Sequence, residues 1–137
     1  QPVYLQGDIA IVRELKQHLV NNNINVAYQK KFAKSIITIA VVDAETRSYS
    51  VSDDGRNAEL LRRMAATISW QQLKSAAKNN NLMLLPQTEV DVSFVQILNP
   101  DNAAAQQQES YTLDREMRQA LAEKMLNLLR YRSTELN

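Results

Sequence analysis

The stretch from Ser35 to Leu73 restricts the choice of fold more than any other. It opens on a β-branched run, Ile36-Ile37-Thr38-Ile39, and continues through Ala40-Val41-Val42. Branched side chains suit a pleated, half-buried strand. A polar segment, Asp43-Ala44-Glu45-Thr46-Arg47, follows, and apolar character returns at Tyr49 and Val51. Asp53-Asp54-Gly55-Arg56 then supplies an Asp-Gly hairpin signal, because Gly reaches positive φ without a Cβ clash. Beyond it Ala58, Leu60, Met64, Ala66, Ile68 and Trp70 occupy even positions, with Glu59, Arg63, Thr67, Ser69 and Gln71 on odd ones. A strand with one buried face alternates in this way. The pattern predicts a long two-stranded ribbon turning at Asp53–Arg56. A helix also fits part of the segment, since Leu61, Met64, Ala65 and Ile68 form a helical stripe among good helix formers. Leu61 and Ala65 interrupt the alternation, and Arg62 shares the apolar face. Arg62 fits a strand if the hairpin tip projects beyond the core, where its charge is wet.

The flanking segments predict two helices and further strands. Val3-Tyr4-Leu5 reads as a first strand. Gly7-Asp8 ends it, and Asp8 caps a helix whose apolar stripe is Ile11, Val12, Leu15 and Leu19. Asn21-Asn22-Asn23 stops that helix. Ile24, Val26 and Tyr28 alternate as a short edge strand. Lys74 to Asn81 is polar and reads as a loop. A third long strand runs from Leu82 to about Ile97, with Pro86 marking an edge position or a bulge because it has no amide to donate. Asn99-Pro100-Asp101-Asn102 breaks that strand. Ala103 to Gln108 is a link or a frayed helix start. A long helix then carries Leu113, Met117, Leu121, Met125 and Leu128 on one face, with Arg115, Glu116, Arg118, Glu123 and Lys124 on the other. Residues 133–137 read as a flexible tail. The expected fold is a single α+β domain over residues 1–137. It is a two-layer sandwich with a mostly antiparallel, mixed sheet of about four strands and two helices packed on one face.

Composition narrows the function. Sixteen basic and fifteen acidic residues leave a net charge of +1, which argues against general nucleic-acid binding. With no cysteine, disulfides, cysteine metal sites and thiol catalysis are excluded within the segment. No apolar run approaches the roughly 18 residues of a membrane span. The one histidine, His18, lacks a second ligand at helical spacing and pairs more simply with Glu14 on the surface. Glu89 and Asp91 share a strand face, and alternation accounts for them. Glycine-rich phosphate loops, nucleophile elbows and EF-hand loops are absent. The expected protein is not an enzyme and uses no metal or cofactor. The chain begins at Gln1 and not Met, as expected of an excised mature region, and a signal peptide or lipid-bearing residue would lie upstream.

Two basic groups remain. Arg47, Arg56, Arg62 and Arg63 gather towards the hairpin tip, and Lys30, Lys31 and Lys34 surround Phe32. Basic side chains beside apolar surface can hold a phosphate or an anionic amphiphile. They serve equally to keep exposed strand edges from aggregating.

Three places in the chain resemble the LptE family of LPS-assembly lipoproteins, also called rare lipoprotein B. They are the capped helix Asp8–Asn21 with Asn23-Ile24-Asn25-Val26 after it, the segment Ser48 to Leu60 around its Gly turn, and Pro86 to Gln96 followed by a polar connection into Met117–Leu129. The resemblance spans about Val3 to Arg130 and favours strand for Ala58–Leu73. It implies a non-catalytic protein held on the periplasmic face of the outer membrane by an upstream N-terminal lipidated cysteine. It also implies that the protein plugs and helps assemble the LptD β-barrel and binds lipopolysaccharide, with the two basic groups as candidate contacts. The alternative is another envelope-lipoprotein adaptor that binds protein or peptidoglycan.

Overall fold

Ala58–Gln72 is a strand, and it lies inside a sheet rather than against one. The computed structural model describes residues 2–51, 58–73, 82–98 and 103–136. Their order is β1 (Val3–Gly7), α1 (Ile9–Asn21), β2 (Val26–Ala27), a short 3-10 turn at Lys30–Phe32, β3 (Ser35–Val51), β4 (Ala58–Gln72), β5 (Leu82–Leu98) and α2 (Ala103–Leu136). One five-stranded sheet has the order β2-β1-β3-β4-β5. β1 pairs parallel with β2 and β3, whereas β3, β4 and β5 are antiparallel. The fold is thus the expected α+β arrangement of a mixed sheet and two helices, with five strands where about four are expected. The Asp53–Arg56 turn, the Lys74–Asn81 loop and the Asn99–Asn102 break lie outside the described residues.

Local chemistry explains most boundaries. The Asp8 carboxylate accepts from the Ile11 amide at 3.0 Å and starts α1. The Asn22 amide donates back to the carbonyls of His18 and Leu19, and Asn23 takes a left-handed φ of 63° before β2. Pro86 sits on edge strand β5, where the register slips between the Ile68–Thr88 and Trp70–Leu85 pairs. Both expected roles for this proline, edge and bulge, therefore coincide. α2 begins at Ala103, so the Ala/Gln segment is helical from the start. It also continues through Leu136, so most of the expected tail is helix. There Arg132 donates to the Leu84 carbonyl and pairs with Glu135.

The core lies between the helices and one face of the sheet. Ile37, Ile39 and Ile68 meet Ile11, Leu15 and Leu19 of α1 and Met117, Leu121 and Met125 of α2, all at most 2% exposed. Removing such a side chain from water contributes roughly 1.5–3 kcal/mol each. α1 packs against α2, and α2 lies along β4 and β5. The described residues place no helix on the other face of the sheet.

Candidate functional site

That open face is polar at its centre. Strand alternation sends Arg63 of β4 onto it, opposite Glu45 of β3 and Ser93 of β5. The next row is Asp43, Ala65 and Asp91. The Arg63 guanidinium donates to Asp91 at 3.0 Å and lies 3.6 Å from Asp43 and 3.7 Å from Glu89. The hydrogen bond donated to Asp91 pushes the guanidinium pKa further up, against a smaller opposing effect of desolvation. Three carboxylates around one guanidinium leave a net negative centre, which repels a further anion. Arg63 therefore ties three strands together through carboxylates of β3 and β5.

Arg62, one residue earlier, points through the sheet to the helix side. Its guanidinium pairs with Asp114 of α2, with its side chain 19% exposed and that of Asp114 32%. This corrects the expectation that Arg62 is wet at a projecting tip: α2 extends far enough to cover it. Beside it, the buried Gln96 donates to the Ser110 hydroxyl at 2.8 Å. These two contacts fix the early turns of α2 on the sheet. Removing Asp114 alone strands a partly buried charge whose Nη1 already lacks a partner among the described residues, so Asp114→Ala should cost about 1–3 kcal/mol. Replacing both partners, in Arg62→Met with Asp114→Leu, should restore most of that loss, because the desolvation cost disappears with the charges. Urea denaturation of the two singles and the double checks this. A double mutant as unstable as the sum of the singles contradicts it.

The remaining basic residues are divided between the two ends of β3. Arg47 is the exposed arginine among the described members of the tip group, at 68%, and donates to Glu45 at 2.8 Å. Arg56 lies outside the described residues. Lys30, Lys31 and Lys34 are exposed around the 3-10 turn before β3, where Lys31 stands over the Phe32 ring. β3 has 17 residues, so roughly 55 Å separates its ends. Proximity in sequence made one tip cluster of residues that the strand distributes over two faces. The partners Asp43, Glu89 and Asp91 of Arg63, and Asp114 of Arg62, carry no motif, and only cross-strand register or helix placement reveals them.

Among the described residues, no helix is long and apolar enough to cross a membrane, and no group of three or more His, Cys, Asp or Glu side chains is arranged to hold a metal ion.

The fold is that of known bacterial lipoproteins. It resembles rare lipoprotein B from Shewanella oneidensis at a TM-score of 0.65 and 16% identity, over 99% of this chain and 98% of that one. A minor lipoprotein from Acinetobacter baumannii gives a TM-score of 0.61 at 16% identity, over 93% and 91% of the two chains. Uncharacterized lipoprotein B from Nitrosomonas europaea gives 0.61 at 22% identity, over 92% and 79%. Direct sequence comparison with curated proteins gives no significant match. The profile of the LptE family, described as lipopolysaccharide-assembly, matches residues 1–129. The chain belongs to the LptE family of lipopolysaccharide-assembly lipoproteins.

Proposed function

We propose that this protein is a non-catalytic lipoprotein of the periplasmic face of the outer membrane, lipid-anchored through a residue upstream. It plugs the LptD β-barrel, assists its assembly and binds lipopolysaccharide on its way to the outer leaflet. The observation that carries this reading is the family match over residues 1–129. The helix-free sheet face supports it, because the Arg63 network and its polar rows suit the polar interior of a wide barrel. The same sheet, hydrogen-bonded along strands of 15 and 17 residues, provides a stiff support reaching into a lumen.

Of the tip arginines, the exposed Arg47 is the first candidate contact for lipid A phosphate, and Arg56 joins it by its position in the sequence. Guanidinium groups pair phosphate bidentately. The surface contact from Arg47 to Glu45 is weak enough to give way to such a ligand. The test is capture of lipopolysaccharide by purified protein at two salt concentrations, with circular dichroism as the folding control. Arg47→Glu with Arg56→Glu should reduce capture several-fold, most at low salt, and leave the fold unchanged. Arg63→Glu should instead lower the melting temperature, since it sets a fourth carboxylate among three. A folded Arg47/Arg56 variant that captures lipopolysaccharide like the parent would move the site away from the tip.

A further inference from the structure

A cavity of about 670 Å³ opens between the C-terminal halves of both helices and the sheet, at the end of β3 far from the tip. Its volume falls within the roughly 300–1,000 Å³ of small-molecule sites. Leu19, Ile24, Trp70, Leu84, Leu126 and Leu129 make it mainly apolar. Two exposed cations, Lys34 and Arg130, also line it, and among the described residues no carboxylate does. The Lys34 backbone is held on both sides, by its amide to the Pro2 carbonyl at 2.9 Å and its carbonyl to the Leu73 amide at 2.8 Å. The Arg130 guanidinium rests on the Asn22 side-chain oxygen, an uncharged acceptor. The Trp70 indole N–H is buried and has no acceptor among the described residues. A buried donor without a partner is rare in a finished core and marks a place where an acceptor arrives.

We propose that this cavity binds the acyl chain of an anionic amphiphile. The chain lies among the leucines, the head is held by Lys34 and Arg130, and an oxygen of the head or of its ester accepts from Trp70. The apolar wall selects a hydrocarbon chain, and the unbalanced positive charge at its edge selects the sign of the head. The site is separate from the tip arginines and does not depend on them.

Trp70 is the one tryptophan of the chain, so its emission reports the cavity directly. The probes are laurate, lysophosphatidylglycerol carrying the same acyl chain, and dodecyltrimethylammonium, each below its micelle concentration. Laurate, the lysophospholipid or both should shift Trp70 emission saturably. The cationic amphiphile should require at least about tenfold more, the difference expected of charge-assisted contacts. Lys34→Glu with Arg130→Glu should invert that order, and the milder Lys34→Gln with Arg130→Gln should abolish the preference if the reversal does not fold. Leu84→Phe, which narrows the cavity, should weaken all three probes. Arg47→Glu should leave the laurate response unchanged, so failure at the tip and failure here are distinguishable. A response to laurate alone assigns carboxylate heads, and a response to both anions assigns anionic heads in general. No Trp70 response to either anion, equal response to anionic and cationic heads, or a charge-reversed protein that binds laurate like the parent overturns the proposal.

Discussion

Gly7→Ala should strongly destabilise the protein. Gly7 closes β1 with φ of +120°, a conformation that residues with a Cβ adopt only under strain. That strain costs roughly 1–3 kcal/mol by itself. A Cβ there would lie 1.7 Å from the Ile39 carbonyl oxygen, a backbone atom that cannot rotate away. The same oxygen accepts from the Asp8 amide at 3.0 Å, and Asp8 caps α1. Relieving the overlap therefore parts β1 from β3 and disturbs the start of α1 together. The expected result is a large drop in urea midpoint, or a chain that fails to fold cooperatively. An unchanged midpoint would show that β1 does not approach Ile39 as described.

Leu121→Ala should cost roughly 2–5 kcal/mol, the range for deleting a fully buried leucine that leaves a cavity. Leu121 is 0% exposed and belongs to a cluster with Met117 and Met125 under α2. Arg118→Ala, on the charged side of the same helix, should stay within about 0.5 kcal/mol. Thermal or urea unfolding measures both. Equal effects would mean that α2 is rotated from the orientation seen here.

The elements that the sequence makes legible are those set by local rules. Even and odd positions of β4 differ in polarity because one face is buried, and Asp8 and Pro86 announce a cap and an edge bulge by chemistry alone. The readings that fail involve partners distant in sequence. Arg62 looked misplaced on an apolar face because Asp114 is 52 residues away. The sequence pattern predicts the apolar face of α2 along Leu113, Met117, Leu121, Met125 and Leu128. Leu128 is only partly buried, and burial extends instead to Ala122, Leu126 and Leu129. A helix with two neighbours, here α1 and the sheet, buries about half its circumference, which a single stripe does not describe. The polar residues after Ser133 show no periodicity, yet they are helical through Leu136, where Arg132 reaches the Leu84 carbonyl. The site was legible only as a pool of basic residues. Register decides which of them meets solvent, and register between strands is written in no short motif.

The proposed role puts this chain inside the barrel of the lipopolysaccharide translocon. The most direct measurement is co-expression of the full-length lipoprotein with LptD from the same organism, followed by purification through a tag on the barrel and determination of stoichiometry. One copy of this protein per barrel, surviving detergent and size exclusion, is the expected result. A photo-crosslinker at Thr67, on the open sheet face, should join it to LptD. A correctly folded barrel that purifies without this protein, with no crosslink from Thr67, would contradict it.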